Sequence, residues 1–318
     1  MLTPLKFVQG AVAKKDFVPA LNHFRIEGGT VKGYNGMIAL SAPIDLDLAV
    51  TPKALPFIKA IQACNDTISL HVTQAGRLSI KSGSFKAFVD CIQEDYPVVK
   101  PEGDEIQLDG KFLQAVKILA PFIAEDASRP WARGILFRGQ SAYATNNVVI
   151  AEHWLGSNFP VTVNVPKQAV SELLRIGEEP THLQITESSV TFHFTGNRWL
   201  RTQTYSLDWP DMQRVLDMPS NPTPFPEGMF ESVETLVPFV DDVPAIHFLP
   251  DGSVSTSKHE GTGAAVQLPF FGAVGTFNIH QFLLLHGVAT LVDLTTYPRP
   301  CIFHGNHIRG AIVGLKDA

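Results

Sequence analysis

The residues whose type is best suited to chemistry are histidines that lie toward the end of the sequence. Imidazole nitrogens bind metal ions, but a metal site needs ligands that converge on one point. His304 and His307 flank a predicted hairpin turn, Asp293 is the only acid near them in the sequence, and no HExxH motif occurs. The pattern favours histidines that are scattered over the surface and the core. A metal site, and with it a metal-dependent enzyme, stays the weaker alternative. The histidines of this region are His247, His259, His280, His286, His304 and His307.

Motifs of other catalytic chemistries are absent from the sequence. It contains no P-loop, no GxGxxG after a predicted strand and no GxSxG. The acidic pair Glu125-Asp126 lies in a predicted loop, where it is expected to be solvated. Cys64, Cys91 and Cys301 form no CxxC or His/Cys spacing and are predicted to be reduced thiols. The sequence therefore predicts no catalytic residue, no metal and no cofactor.

The composition is that of an ordinary globular protein. Of the 318 residues 45% are hydrophobic and 18% are charged, and this length suggests two or three domains. A net charge of -6 means that any contact with nucleic acid must come from a local basic surface. The N-terminal segment lacks the apolar core of a signal peptide, and the apolar run from Phe282 to Val292 is too short to span a bilayer. These features predict a soluble, cytoplasmic protein with no membrane contact.

The strongest signal in the sequence is an internal repeat. Residues 51–97 and 165–210 share one order of motifs, which begins at a Pro-Lys pair and ends at Asp-aromatic-Pro. A weaker third copy begins at Asn278. Three copies give a repeat of about one hundred residues, which is a normal domain size. The matching positions are Pro52-Lys53 with Pro166-Lys167, Gly83 with Gly196 and Gly305, and Asp95-Tyr96-Pro97 with Asp208-Trp209-Pro210.

Each repeat is predicted to contain helices that are followed by strands. Apolar residues recur at helical spacing and then alternate, as expected of an α+β design with helices on one face of antiparallel sheets. The predicted domains are residues 1–102, 103–218 and 219–318. Helices are predicted at Lys15–His23, Lys53–Ala63, Gly110–Ile123, Lys167–Ile176 and Gly228–Val240. Strands are predicted within Thr30–Leu40, Ile68–Val72, Ile135–Trp154, Thr191–Thr195 and Ala245–Gln267.

Four motifs of the second repeat carry a family resemblance. ARGILFRG, YATNNVVIAEHW, VPKQAVSELLRI and DWPDMQRVL follow one another in this order. On these motifs the chain resembles a divergent bacterial β sliding clamp, the processivity subunit of DNA polymerase III, over nearly its whole length. Origin from a host and origin from a phage both stay open. The resemblance implies three clamp domains per chain and a homodimeric ring of six domains. It also implies a non-catalytic protein that encircles duplex DNA and tethers a polymerase.

The resemblance implies that the helices line the hole of the ring and face the duplex. Lysine and arginine contact phosphates there without reading the sequence. A single exposed lysine is usually only solvated, but Lys53 and Lys167 recur at the same end of corresponding helices. The implied contacts on helical segments are Lys14, Lys15, Lys53, Lys59, Lys111, Lys117, Lys167 and Arg175.

Charge is spread unevenly over the three repeats. Residues 1–102 carry a net +2, residues 103–218 a net −3 and residues 219–318 a net −5. The first two repeats are therefore expected to dominate the DNA contact. The loop Arg129–Arg133 places Trp131 between two arginines, and the family's equivalent loop projects toward DNA. An aromatic ring can stack there while Arg129 and Arg133 pair with phosphates, or Trp131 can instead pack inward.

The resemblance also implies a groove that captures short linear peptides from a DNA polymerase and a clamp loader. Two departures from the family pattern suggest a different peptide preference: the stretch Thr145–Ile150 lacks the usual Gly, His and Arg, and the C-terminus lacks Met-Pro-Met. Some of the apolar positions, Val149 and Val313 among them, can instead be strand core. The implied groove residues are Ala132, Thr145, Asn147, Val149, Ile150, Pro210, Arg214, Val215, Ile312, Val313 and Leu315.

Closure of the ring needs contact between two copies of the chain. The resemblance implies pairing of edge strands between the first domain of one copy and the third domain of the other, which removes exposed sheet edges. Phe88 and the segment Leu236–Val240 are the predicted apolar seam. A second role also stays open, in which a clamp from a virus or mobile element captures or decoys host replication proteins.

Overall fold

The computed structural model describes residues 1–14, 17–108, 111–126, 128–259, 261–268 and 273–316. Lys15, one of the implied DNA contacts, lies outside this range. None of the helices described is long and apolar enough to cross a membrane. The α-helices are α1 (Leu2–Val8), α2 (Ala54–Gln62), α3 (Phe112–Leu119), α4 (Lys167–Ile176), α5 (Gln213–Leu216), α6 (Met229–Glu234) and α7 (Ile279–Leu283).

The strands of the described residues alternate with these helices. In the first half of the chain they are β1 (Arg25–Glu27), β2 (Thr30–Tyr34), β3 (Ile38–Pro43), β4 (Ser69–Val72), β5 (Leu78–Ser82), β6 (Phe85–Val89), β7 (Asp104–Gln107), β8 (Gly134–Thr145) and β9 (Val149–Pro166). In the second half they are β10 (His182–Ile185), β11 (Ser189–Phe194), β12 (Arg198–Gln203), β13 (Thr223–Pro224), β14 (Ala245–Phe248), β15 (Ser253–Ser255), β16 (Ala265–Gln267), β17 (Gly275–Asn278), β18 (Leu291–Val292), β19 (Cys301–Gly305) and β20 (Ile308–Ile312).

The chain forms two compact units, each built from two separate stretches of sequence. Unit 1 consists of Met1–Leu113 and Gln168–Thr204, and unit 2 of Gln114–Lys167 and Tyr205–Ala318. These units do not follow the repeat boundaries, because strands from neighbouring repeats pair in one sheet. The division into domains at 102/103 and 218/219 stays a prediction.

Unit 1 contains a seven-stranded antiparallel sheet in the order β1-β2-β3-β12-β11-β10-β7 and a three-stranded sheet β4-β5-β6. Strands β3 and β12, far apart in the sequence, pair with Leu40 opposite Leu200. Helices α1 and α2 lie side by side, and α1 also packs on β2 and β3. Leu5 and Val8 of α1 and Phe57 of α2 are completely buried, which is the reason these short helices are stable in the folded chain.

Unit 2 contains a six-stranded antiparallel sheet in the order β13-β18-β19-β20-β9-β8 and a four-stranded sheet β16-β15-β14-β17. The long strands β8 and β9 pair with irregular register around Gly139. Phe282 of α7 is buried and contacts the rings of Phe230, Phe248 and Phe277, whose centroids lie 5.3 to 6.0 Å away. These aromatic contacts tie α6 and α7 to the four-stranded sheet.

One helix prediction is wrong. The structure has no α-helix in the described part of Lys15–His23, which contains only a short 3-10 helix at Pro19–Asn22, and places α1 at Leu2–Val8 instead. The reason is burial: the large apolar side chains Phe17 and Val18 are exposed, whereas Leu5 and Val8 are buried. The other predicted helices are confirmed, most closely by α2 and α4.

The true first helix restores a pattern that occurs three times in the structure. Each of α1, α3 and α6 is followed by a 3-10 helix, at Gln9–Ala11, Ala120–Phe122 and Val237–Phe239. Short 3-10 turns commonly tighten the end of a helix. This recurrence extends the sequence repeat into the first residues of the chain, where the sequence pattern alone did not show it.

Of the three glycines that match in the repeat, two lie in hairpin turns and the third ends a strand. Gly83 and Gly196 lie in the turns β5–β6 and β11–β12 with positive φ of 55° and 72°, a conformation that favours glycine. Gly305 is the last residue of β19, and the turn that follows has His307 at φ 57°. A side chain at Gly305 would collide with the Val288 carbonyl oxygen, so close packing requires the glycine there.

Within the described residues, the cysteines and histidines belong to no cluster that could hold a metal ion. Cys64, Cys91 and Cys301 are free thiols, as predicted. Among the residues the structure describes, no group of three His, Cys, Asp or Glu side chains is placed to hold a metal ion. The histidines of the last repeat are accordingly found in separate surroundings, such as His286 stacked on the Phe230 ring and His307 stacked on Trp154.

Candidate functional site

The corner of the hairpin β8–β9 in unit 2 holds the altered stretch Thr145–Ile150. The side-chain oxygen of Asn146 accepts hydrogen bonds from the backbone N–H groups of Val148 and Val149, at 3.1 and 2.8 Å, and Asn147 has φ 73°. The hydroxyl of Thr145 donates to the Val149 carbonyl at 2.8 Å. The asparagines thus supply a tight local turn of a kind that their side chains form readily.

The segment that follows β12 crosses the sheet next to this hairpin and forms a cavity with it. Trp209 is buried against Trp131, with ring centroids 5.0 Å apart. The residues that come next turn outward and line a cavity of about 370 Å³. Its walls include Leu136, Arg138, Tyr143, Pro210, Met212 and Gln213. A cavity of this size with mixed apolar and polar walls fits a side chain of a bound peptide.

An apolar cluster supports the cavity from below. Ile150 of β9, Ala311 of β20, Ile302 of β19 and Leu216 of α5 are buried together. Met212, Val215, Met218 and Tyr143 are partly buried and pack against this cluster. Met212 therefore has one side in the core and one side on the cavity, which fixes its position before any ligand arrives.

A buried polar network holds helix α5 in place. The guanidinium of Arg309 on β20 donates from Nε to Glu152 Oε2 at 2.6 Å, from Nη1 to Asp217 Oδ1 at 2.9 Å and from Nη2 to Gln213 Oε1 at 2.8 Å. The Tyr143 hydroxyl donates to Glu152 Oε1 at 2.8 Å. One arginine therefore connects the sheet to both ends of α5, and the planar fork of its donors suits this task.

The network sets the ionisation of its members. Burial alone would raise the pKa of Glu152, but hydrogen bonds from Ser141, Arg309 and Tyr143 outweigh it and leave the pKa below its ordinary value. Burial and the hydrogen bond to Glu152 raise the pKa of Tyr143 to about 12. At neutral pH Glu152 is therefore a carboxylate and Tyr143 a neutral hydroxyl donor.

The implied groove residues all belong to unit 2, but they differ in their surroundings and in their exposure. Pro210 lines the cavity, and Ile150 and Val215 belong to the cluster beneath it. Arg214, Asn147 and Val313 are exposed, and Leu315 is half-buried. Direct lining by four other implied groove residues needs correction, because their side chains are buried in the core. These four are Ala132, Thr145, Val149 and Ile312.

The implied DNA contacts on helical segments fall into two groups. Lys14, Lys53, Lys59, Lys111 and Lys117 are exposed. Lys167 is half-buried and forms an ion pair with Glu125. Arg175 donates to Glu172 and to the backbone carbonyls of Lys6 and Phe7 at the end of α1, so a phosphate would have to compete with these bonds. Their role in DNA contact stays a prediction.

The arginine loop is only partly open to a ligand. Arg129 is exposed and donates to the Asn147 side chain at 2.9 Å. Trp131 packs against the buried Trp209, which favours the inward alternative for this ring. Arg133 is half-buried, with its Nε atom shielded from solvent. Of the three residues, Arg129 is the most accessible to DNA.

Comparison with solved structures decides the fold. A DnaN sliding clamp (DNA polymerase III subunit beta) from Bartonella birtlesii, bound to griselimycin, matches at 17% identity over 99% of this chain and 97% of its own, with a TM-score of 0.85. The beta subunit from DNA polymerase of Streptococcus pyogenes matches at 16% identity, over 99% and 97%, with a TM-score of 0.85. This chain has the sliding-clamp fold.

A third clamp and two further searches define how distant the likeness is. A DnaN sliding clamp from Pseudomonas aeruginosa, bound to griselimycin, matches at 18% identity over 100% of this chain and 97% of its own, with a TM-score of 0.83. A scan against protein-family models found no match, and a search of the curated proteins by sequence found none either. The sliding-clamp fold is thus retained here on a strongly divergent sequence.

Within the clamp fold the sequence analysis missed several residues of the cavity. Tyr143 lies two residues before Thr145 on β8, and alternate strand residues share a face, so this signal was available. Met212 and Gln213 directly follow the Asp-Trp-Pro motif. Lys6, exposed on α1, was missed because the helix itself was predicted elsewhere. Leu136 and Arg138 carry no sequence signal of their own.

We expect Arg309→Met to destabilise unit 2, because it leaves the buried Glu152 carboxylate without its main partner. Since about a third of the Arg309 side chain is exposed, the loss should be about 2 kcal/mol, less than for a fully buried pair. Urea denaturation at pH 7 measures it. Arg214→Met, which removes an exposed arginine of the neighbouring helix α5, should change the free energy of unfolding by less than about 0.5 kcal/mol.

The pH dependence gives a control on the same network. A carboxyl group whose pKa is depressed on folding stabilises the folded state above its unfolded pKa, and this contribution is lost as pH falls through the folded pKa. The stability advantage of the wild type over Glu152→Gln should therefore be full at pH 7 and shrink below pH 4.5. An advantage that is independent of pH would contradict the role given to Glu152.

Proposed function

We propose that this chain is a sliding clamp, a processivity factor that encircles duplex DNA and tethers a replicative polymerase. The observation that carries the proposal is a cavity that fits a side chain of a bound peptide, above a buried apolar cluster, in a chain of sliding-clamp fold. The cavity lies where the Asp-Trp-Pro segment meets the β8–β9 hairpin. We place no catalysis in this protein, and we assign it to the cytoplasm.

The groove is suited to capture short peptides from a polymerase and a clamp loader. It combines apolar walls with a few fixed polar groups, a combination that gives peptide sites affinity together with orientation. Two clamps of this fold, from Bartonella birtlesii and Pseudomonas aeruginosa, have been solved bound to griselimycin, so clamps of this fold can hold a ligand. Asn147, Val148 and Val149 stand where the family has Gly, His and Arg, so we expect a peptide preference that differs from theirs.

The DNA contact rests on exposed lysines of the helices. Lys6, Lys53, Lys59, Lys111 and Lys117 are exposed on or next to α1, α2 and α3. Helix α6 instead carries Glu231 and Glu234. The grip on duplex DNA is therefore concentrated in the first two repeats and is independent of base sequence.

Ring closure rests on apolar side chains that stay exposed in one copy of the chain. Phe88 lies on β6, at one side of the three-stranded sheet, and 51% of it is exposed. Within the predicted seam Leu236–Val240, Leu236 is buried and Phe239 is 60% exposed, so Phe239 is the residue available for contact. We propose that Phe88 of one copy packs near Phe239 of the other in a homodimer.

The decoy alternative shares the groove with the tethering function. A protein that only sequesters host replication proteins needs the peptide cavity but no grip on DNA. The exposed lysines on α2 and α3 favour tethering, because sequestration gives no reason for them. The enzyme alternative has no comparable support among the described residues, where no metal-ligand cluster occurs.

Tethering through the groove predicts that Met212→Ala shortens the products of a polymerase. The change removes a wall of the cavity at the position where the core holds it, and truncation of such a side chain weakens peptide binding about tenfold or more. Product length on primed circular DNA, with the cognate polymerase and loader, measures it. Val72→Ala, at an exposed position of β4, is the control. Equal product lengths with and without wild-type protein would refute the tethering function.

The lysine assignment predicts the salt dependence of DNA binding. Removal of one lysine that contacts a phosphate should reduce the slope of log K against log salt by about 0.9. Lys111→Gln with Lys117→Gln should therefore lower the slope by up to about 2. Fluorescence anisotropy of a labelled duplex at several salt concentrations measures it. Lys258→Gln with Lys316→Gln, in the acidic third repeat, should leave the slope unchanged, and equal effects of the two pairs would overturn the assignment.

The seam predicts that Phe88→Ala raises the monomer fraction at low protein concentration. Loss of a buried phenylalanine at an interface weakens the dimer by about 2 kcal/mol, or about thirtyfold in Kd. Analytical ultracentrifugation should show the wild type at twice 34.8 kDa and the variant as a mixture. Val72→Ala serves again as the exposed control. A variant that dimerises like the wild type would remove Phe88 from the interface.

A further inference from the structure

Unit 1 contains a hairpin corner with the same construction as the one at the groove of unit 2. Between β2 and β3 the side-chain oxygen of Asn35 accepts from the N–H groups of Met37 and Ile38, both at 3.0 Å. Its neighbour Gly36 has φ 90°. Asn146 and Asn147 play these two parts between β8 and β9. The segments YNGMIA and TNNVVI are therefore equivalent positions of the internal repeat.

The strand next to each hairpin is also equivalent. In unit 1, β3 pairs with β12, and Ala39 lies opposite Arg201. In unit 2, β9 pairs with β20, and Ile150 lies opposite Ala311. Each unit also has an Asp-aromatic-Pro segment. Its aromatic residue is the buried Trp209 in unit 2 and the largely buried Tyr96 in unit 1. The hydroxyl of Tyr96 donates to the His23 carbonyl at 3.3 Å, which holds this segment close to the start of β1.

At the position that corresponds to the groove, unit 1 has two hollows that share Val98 and Val99. One has a volume of about 210 Å³ and is lined by Met37, Glu102 and Arg201 among others. The second has a volume of about 340 Å³ and is lined by Lys32, Glu94 and Asp95 among others. Together they are at least as roomy as the cavity of unit 2.

The lining of these hollows has a definite chemistry. Val98 is 88% exposed and Met37 is 48% exposed, so two apolar side chains stand in solvent at the cleft. Arg201 is engaged by Glu102 at 2.9 Å, and Arg25 is engaged by Glu27 at 2.8 Å. The charges that remain are the exposed carboxylates Glu94 and Asp95 against Lys32. The cleft therefore combines an apolar contact with a net negative rim.

We propose that unit 1 carries a second peptide-binding pocket, the internal-repeat counterpart of the groove in unit 2. Its ligand is a short linear peptide in which an apolar residue stands beside a basic one. The apolar side chain covers Met37 and Val98, and the basic side chain meets Glu94 and Asp95. The choice of a peptide as ligand rests on the proposed function of the unit 2 groove, whereas the pocket itself rests on the geometry of unit 1.

The methionines of the chain allow peptide binding to be measured separately at the two pockets. Of the five methionines, Met37 lies in the unit 1 pocket and Met212 in the unit 2 groove, while Met229 is buried elsewhere. The full-length protein, labelled with carbon-13 at its methionine methyl groups, is titrated with a five-residue peptide of two leucines, a phenylalanine and two lysines. A matched peptide has two glutamates in place of the lysines.

We expect the basic peptide to shift the methyl signals of both Met37 and Met212, with different saturation curves, and to leave Met229 unchanged. The acidic peptide should shift Met37 much less, because Glu94 and Asp95 repel it. Val98→Ser should weaken binding at Met37 about tenfold, because it removes apolar surface that the peptide would cover, and leave the curve at Met212 unchanged. Val72→Ser, at another exposed valine of unit 1, should alter neither curve.

The outcomes separate this proposal from the function of the groove. A shift at Met212 alone, or a Met37 curve unaffected by Val98→Ser, overturns the second pocket and leaves the tethering function intact. A shift at Met37 alone supports the second pocket and counts against the groove of unit 2. A protein in which neither methyl signal responds at millimolar peptide refutes the second pocket. Equal responses of Met37 to both peptides refute its preference for a basic ligand.

Discussion

The structure depends on backbone pairing between strands that are far apart in the sequence. Strand β12 completes the sheet that begins with β1 to β3, and β20 does the same for β8 and β9. A sheet edge left open would expose unpaired N–H and C=O groups and invite aggregation. Each repeat therefore covers the edge of the one before it, and the compact units cut across the repeats for that reason.

This pairing also creates cavities in both units. In each unit three parts lie together: a hairpin corner, the strand paired beside it and an Asp-aromatic-Pro segment. A cavity is left between them. In unit 2 the cavity lies next to an apolar cluster and a polar network around Arg309, so its shape is fixed before a ligand binds. Preorganised walls reduce the entropy lost when a flexible peptide is ordered on binding.

This chain differs from other clamps in most of its side chains but has the same fold. At 16–18% identity to clamps of known structure, the chain keeps the fold over nearly its whole length. Packing tolerates such change when apolar positions stay apolar and of similar volume. The turns are less tolerant, and Asn146 and Asn147 show one solution: asparagine supplies both the local hydrogen bonds and the positive φ that glycine would otherwise provide.

The sequence by itself determined the α+β class, the repeat and the helices α2 and α4, because these follow from periodicity and from motif order. Of the side chains that line the unit 2 cavity, it indicated Pro210 as a groove residue. It misplaced the first helix, since local composition cannot say which apolar residues find a partner: Leu5 and Val8 do, and Phe17 does not. Only the tertiary structure decided that Val149 and Ile312 are core while Tyr143 and Met212 face the cavity. Burial is a property of how distant strands pack, and neither propensity nor spacing contains it.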